Sequence, residues 1–480
     1  MLHLVDRGHV ARRGQLPRRQ LLKAGGLGLL GLSLPKLLAA EAAQSDRPRR
    51  ARSVIFLYLF GGPSQLETFD LKPHAASRIR GPFRPIASRT PGLRLCEHLS
   101  RTATVSDKFC VVKTMTHSYN DHSGASHYIQ TGHRWQIPIG GGFSTTPKDW
   151  PSMGSVVEYL AQKRGLDQNR DLPNYVVLPN WLGALQEKGQ YRRPGQYAGW
   201  LGRGYDPLTT NIRKKNLTDN PFWRNCSDDE LQFEIQGLVS GDELTLDRLN
   251  RRRSLLEQFD QQRRGVDASG AAAMYDRFRR RALDLVTSER TRRALDIRRE
   301  PASLRDRYGR HLYGQSCLMA RRLVEAGVRF VTVHYDCVDG YGWDSHRSSH
   351  DLKRHLIPTF DQALAALLGD LDDRGLLDET LVVALGEMGR TPKANGTWGR
   401  GHWSTLFPAV LAGGGIRGGT VYGQTDRDAA YAVEHPTRPE DLAKTIYHTL
   451  GIDPETRIAD AEGRPTQIVQ GGRPLVELFA

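Results

Sequence analysis

The sequence predicts an α/β fold, a mostly parallel, doubly wound sheet sandwiched by helices. Three observations point to it. Short apolar runs rich in Val, Ile, Phe and Leu recur along the chain. Each run is continuously hydrophobic rather than alternating, as in strands buried on both faces. Helical patterns with one apolar stripe separate several of the runs, and such alternation covers both faces of a sheet with helices.

The predicted strands, in order, are "SVIFLYLF" (53–60), "FCVVKTM" (109–115), "NYVVLP" (174–179), "RFVTVHY" (329–335), "TLVVALG" (380–386) and "FPAVLAGGG" (407–415). "SCLMARRLVEAG" ends on Gly327 just before the fourth strand, the position of a helix-terminating glycine. "LIPTFDQALAALLGDLDDRGLL" sets Leu356, Phe360, Leu364, Leu367 and Leu371 on one helical stripe. "RPEDLAKTIYHTLGI" closes the fold as a last helix. Residues 200–310 are polar, helical in pattern and poor in strands, and read as a helical insertion. Long loops rich in Gly, Pro and polar residues span 116–150 and 388–407. They follow strands, and in open parallel sheets ligands bind at the carboxyl ends of strands.

At 480 residues and 39% hydrophobic content, the chain is long enough for one large domain with insertions. Its start reads differently. "PRRQLLKAGGLGLLGLSLPKLLAAEAAQ" places Arg18 and Arg19 before a Gly/Leu stretch too short to cross a bilayer, followed by small residues. The expected organisation is a twin-arginine signal peptide over 1–44 and the α/β domain over 50–480, with 200–310 inserted. This implies a passage through the Tat translocase to the periplasm or cell surface, with no stable transmembrane segment after cleavage.

The five cysteines form no C-x-x-C pair, which excludes a disulfide framework and a thiolate zinc site. The net charge of +15 is concentrated in two places. Residues 1–52 carry 11 Lys/Arg against 3 Asp/Glu, and residues 247–310 carry 18 Arg against 10 acids. In the second stretch Arg alternates with acids around leucines at helical spacing, the pattern of a solvated, salt-bridged helix face. No nucleic-acid motif accompanies it, so no nucleic-acid partner is expected.

The chemistry-bearing residues gather at the strand ends. Ser64, Glu67 and Asp70 follow the first strand. His117, Asp121, His122, Ser123, His127 and His133 follow the second. Asp344 and His346, in "GWDSH", follow the fourth, and Glu387, Arg390 and His402 follow the fifth. Clustered charge at a buried edge is costly without a counter-charge such as a metal. Imidazole and carboxylate donors without thiolates suit a divalent ion, whether zinc, manganese, iron or magnesium. Arg390 has the planar fork that grips an anionic oxygen.

"GGPSQLETFDLKP", "THSYNDHSGASHYIQTGH", "GWDSH", "GEMGRTP", "GRGHW" and "AGGGIRGGTVYGQTD" together resemble the bacterial family called domain of unknown function 1501, from about residue 50 to the end. That family is similar to the alkaline phosphatase and sulfatase superfamily, whose members are two-metal hydrolases on an α/β sandwich. The resemblance implies metal ligands at Asp344, His346, Glu387 and His402, with Asp121 facing them, and a nucleophile at His122 or Ser123. Two departures stand out. Gly61 and Gly62 occupy the place of a first-strand metal-binding Asp, with Ser64 or Asp70 as stand-ins. Met388 occupies the place of a His after Glu387.

The function expected is an exported, metal-dependent hydrolase of phosphate or sulfate esters acting on a small or polymeric anionic ester. The alternative is a non-catalytic exported binding or scaffold protein that keeps the fold. The export reading is tested by replacing Arg18 and Arg19 with Lys. Because the pathway reads the guanidinium pair and not charge alone, fractionation should find the variant retained in the cytoplasm. Unchanged recovery outside the cytoplasm would remove the assignment.

Overall fold

A computed structural model describes residues 50–135, 145–165, 172–179, 194–212, 219–235, 288–335, 342–349 and 351–480. The expected signal peptide, Cys337 and residues 247–287 of the Arg-rich stretch lie outside the described residues. All six predicted runs form strands. They are Ser53–Leu59 (β1), Phe109–Met115 (β2), Tyr175–Leu178 (β3), Phe330–Tyr335, Thr380–Leu385 and Phe407–Ala412. The stretch 200–310, expected to be helical, adds two short strands, Leu208–Asn211 (β4) and Glu234–Ile235 (β5), and the helices Glu289–Leu295 and Ala302–Tyr308. Phe330–Tyr335 is then β6, Thr380–Leu385 β7, Phe407–Ala412 β8, and a ninth strand, Thr420–Tyr422, is β9. The sheet order is β9-β2-β8-β7-β1-β6-β3-β4-β5.

β1 pairs in parallel with both β6 and β7, with Leu57 opposite Val333 and Ala384. Every residue of β1, β6 and β7 is buried, which is why these runs lack alternation. The two faces divide at period two. Ile55, Leu57 and Leu59 share a core with the helices Leu312–Glu325 and Ile357–Asp373. Val54, Phe56 and Tyr58 share the other core with Met153–Lys163 and Pro439–Thr449. Leu356, Phe360, Leu364, Leu367 and Leu371 are all buried, as their stripe requires.

The sheet is mostly parallel, as expected, but within it β8 runs antiparallel to both neighbours, β7 and β2. The reason lies in the connection. A parallel neighbour needs a crossover, usually a helix, but residues 386–406 form loops and one two-residue ribbon, Gly389–Arg390 with His402–Trp403. The chain therefore turns back at the edge it has just left, and everything between β7 and β8 stays at that edge.

Cys96, Cys110, Cys226 and Cys317 are buried, where thiols pack as small apolar groups. A charged network closes the helix layer. Arg321, only 1% exposed, lies 2.8 Å from Glu300, 2.5 Å from Glu325 and 2.9 Å from Asp370. Removing one partner of a buried network strands the others. Arg321→Leu should therefore lower the unfolding free energy by about 3–5 kcal/mol. Arg293 is 60% exposed and pairs with Glu289 on the same helix, so Arg293→Ala should cost less than about 1 kcal/mol. Urea titration of both variants checks the contrast.

Candidate metal centre

The centre is built where the parallel strands end. After β1 the chain passes through Gly61 (φ +106°), and a Cβ there would lie 2.4 Å from the backbone nitrogen of Asp344. Only glycine allows this approach. The Gly61 N–H donates to both oxygens of Glu387, at 2.9 and 3.1 Å, which ties the mouth of β1 to that of β7. The Trp343 N–H donates to the Phe60 carbonyl at 3.1 Å. Its indole is fully buried, edge-on to Tyr335 and Phe360, and this anchors the backbone that carries Asp344.

From β2 the chain reaches Asp121, which caps the helix His122–Thr131 (α1) by accepting from the Gly124 N–H at 2.7 Å. An Asp at this position satisfies a donor that the helix leaves unpaired, and it presents His122 as the first helical residue. His117, below it, donates from Nε2 to the Glu387 carbonyl at 2.6 Å and accepts from the Tyr119 N–H at Nδ1. Burial holds its imidazole down at about 4, so it stays neutral.

Four side chains from three loops converge. His122 Nε2 lies 3.2 Å from Asp344 Oδ2, and His402 Nε2 lies 3.2 Å from Asp344 Oδ1. His346 Nε2 is 3.0 Å from the same oxygen and 2.8 Å from His402 Nε2. Among the described residues, His122, Asp344 and His402 are the group of His, Cys, Asp or Glu side chains whose donor atoms all fall within 4.8 Å of one another. The far nitrogens of two of these rings are engaged. His122 Nδ1 is 2.5 Å from Glu387 Oε1, and His402 Nδ1 is 2.7 Å from the Asn120 carbonyl. A proton on each of those nitrogens leaves an Nε2 lone pair facing inward, the arrangement of metal-ligating histidines. His122 Nε2 is buried and makes no aligned hydrogen bond, so the donor set fits a divalent ion.

The electrostatics are those of a charged knot. Burial would raise the Asp344 carboxyl, but His122, His402 and Arg390 hold it well below the usual carboxylate range. Burial would likewise lower His122, but the flanking Asp344 and Glu387 carboxylates raise it to about 9. Burial draws His346 downward against the pull of Asp344.

The structure brings Asp344, His346, His402 and His122 together and sets the other expected site residues around them. Glu387 is fully buried, bonds the Gly61 N–H and holds the His122 ring. Asp121 serves as the helix cap. Ser123 is buried beside His122 in the first turn of α1. Arg390 is fully buried, and its guanidinium contacts Asp344 and the carbonyls of Gly61 and Gly62. Asp70 lies between Lys72 and Lys113, at 3.2 and 3.1 Å, and Ser64 Oγ is buried without a hydrogen-bond partner. His127 and His133 pack away from the cluster, with His133 stacked on Trp150.

Sequence reasoning missed a clasp between two loops. Asn395 donates from Nδ2 to the His346 carbonyl at 2.9 Å, while its Oδ1 accepts from the Gly399 N–H at 2.8 Å. The Arg400 N–H donates to the Ser345 carbonyl at 3.0 Å. Beneath it the Arg400 guanidinium pairs with Glu67 at 3.1 Å, both buried. The asparagine in "KANGTW" reads as an ordinary turn residue, and nothing local marks its distant partner.

These features define an α/β sandwich protein with a His/Asp metal-competent centre at the carboxyl ends of its strands. The chain belongs to the family described as protein of unknown function (DUF1501), whose model matches residues 51–479. Similar solved structures include a PsFucS1 sulfatase from Pseudoalteromonas sp., at 12% identity over 87% of this chain and 71% of that one, with a TM-score of 0.34. An alkaline phosphatase from the Antarctic bacterium TAB5 is 11% identical over 84% of this chain and 100% of that one, with a TM-score of 0.32. A phosphonate monoester hydrolase from Silicibacter pomeroyi is 13% identical over 89% and 76%, with a TM-score of 0.30. No curated protein matches the chain. The functional reading rests on the centre itself.

The pH behaviour of the centre is testable in chelated protein. His122 stands at about 9 in the fold against an ordinary 6.5. Its contribution is therefore fully present below about 6.5 and lost as pH rises through 9. The melting temperature of the metal-free protein should fall across that window, and Glu387→Gln should flatten the fall. Differential scanning fluorimetry in excess chelator checks both.

Proposed function

We propose that the protein is an exported, metal-dependent hydrolase of phosphate or sulfate esters. The observation that supports this best is the convergence of His122 Nε2, His402 Nε2 and the Asp344 carboxylate, with the opposite nitrogen of each ring held by Glu387 or Asn120. Such an orientation costs buried polar groups and is what a metal ligand needs. Two imidazoles in the set favour zinc, manganese or iron over magnesium, which prefers oxygen donors. His346, at 44% the most exposed of the four, stands at the open side. When bound, the ion would polarise an ester oxygen and offset charge developing on it.

The chain's own residues divide the remaining work. Glu387 holds the His122 ring, and the Asn120 carbonyl holds His402. Arg390 orients Asp344 and keeps it ionised from behind, instead of gripping substrate. His122 faces a carboxylate at each nitrogen, so its role is to hold the ion. Ser123 is left as the side-chain nucleophile, in the first turn of α1 where the helix dipole favours negative charge. On attack its hydroxyl would give up its proton to solvent water, helped by a bound ion. Delivery outside the cytoplasm rests on the Arg18–Arg19 leader. Among the described residues no helix is long and apolar enough to cross a membrane.

Asp344→Asn, His122→Ala and His402→Ala should each weaken metal binding by about tenfold or more and abolish hydrolysis, with the circular dichroism spectrum retained. Metal analysis and a screen over aryl sulfates, phosphomonoesters and phosphodiesters measure both. A protein that folds, holds no metal and cleaves none of these esters would instead be a non-catalytic exported binding protein.

A further inference from the structure

The superfamily pattern calls for two ions, and the residues of this chain do not fit the second. A second ion at the shared edge would need donors from the mouth of β1 and from residues 387–388. At β1 the Gly61 Cβ position lies 2.4 Å from the Asp344 nitrogen and 2.8 Å from Trp343 backbone, and that of Gly62 lies 2.4 Å from the Met388 carbonyl oxygen. No side chain, and so no carboxylate, can stand there. Glu387 has no exposed surface, and both its oxygens already accept from the Gly61 N–H while one also meets His122. Met388 is fully buried and brings no imidazole.

A different cation stands at this strand mouth. The Arg390 guanidinium is fully buried at the mouth of β1. Its Nε donates to the Gly62 carbonyl at 3.1 Å, one terminal nitrogen contacts the Gly61 carbonyl and Asp344 Oδ1, and the other donates to the Arg400 carbonyl at 3.4 Å. Its backbone is held by Gln65, which accepts from the Arg390 N–H at 3.0 Å and donates to its carbonyl at 2.9 Å. Asp344 thus lies between a fixed guanidinium on its inner side and the histidine cluster on its outer side.

We infer that the centre takes one ion per chain and that Arg390 is a positioning residue, the permanent cation at the strand mouth where a second ion would otherwise bind. This rests on the metal-dependent reading above. An arginine cannot be chelated or exchanged, so Asp344 keeps this partner and its orientation whether or not the ion is present.

The experiment counts ions. Chelated protein is titrated with Zn²⁺ and separately with Mn²⁺ by calorimetry, and bound metal is measured by mass spectrometry after desalting. One ion per chain is expected. Two tightly held ions would overturn the inference and leave the functional reading standing, whereas none would overturn that reading and the inference with it. Arg390→Gln should weaken the single ion by about tenfold or more, with Arg390→Lys restoring part of the loss. Unchanged affinity in a folded Arg390→Gln variant would overturn the role given to Arg390. If that variant does not fold, the ion count of the unmodified protein still decides.

Discussion

The approach of Gly61 to the backbone of Trp343 and Asp344 is the constraint on which the candidate centre depends. It brings the ends of three adjacent strands, β6, β1 and β7, within hydrogen-bonding reach of one another. The Gly61 N–H then finds the Glu387 carboxylate, which orients His122, while the Gly61 carbonyl faces the Arg390 guanidinium, which orients Asp344. One residue without a side chain therefore sets the direction of two donors that come from different loops. A methyl group at this position would part the strand ends and uncouple both.

Much of the sheet was legible in the chain because burial on both faces leaves a continuous apolar run, as in "SVIFLYL" and "TLVVAL". The direction of β8 was not. "FPAVLA" is equally apolar in either direction, and only the lack of a helix in 386–406 distinguishes a returning strand from a crossing one. The two strands within 200–310, the last two of the sheet order, are too short and polar to announce themselves. The gathering of His122, Asp344, His346 and His402 was legible from their places after strands, since one edge collects all such loops. Individual parts were not. Asp121 as a helix cap, Glu387 as a support for a ring and Arg390 as a buried partner differ from ligands or substrate contacts only in which atoms they face, and spacing along a chain carries no such direction.

The molecule spends its buried charge unevenly. Arg321 and its acids lock the helix layer, and Arg400 with Glu67 and Arg390 with Asp344 lie under the loops of the centre. Uncompensated buried ions are expensive, and each of these is matched by an opposite charge. In the helix layer the matching is complete within the network. At the centre the inner side of Asp344 is matched by Arg390, while its outer side faces imidazoles whose charge depends on protons or an ion. The centre is thus the part of the charged interior left open to exchange with solvent.

The antiparallel return of β8 bears on how the centre is assembled in time. The ribbon that holds Arg390 beside His402 joins residues close in the chain and can form early. His122 meets Glu387 across 265 residues, and Asp344 meets His402 across 58. Contacts of long sequence separation carry the larger loop-closure cost and form late. A complete set of donors therefore exists only once the distant halves of the sheet have docked. An ion captured there would act as a latch on the finished topology, recording that the chain has folded.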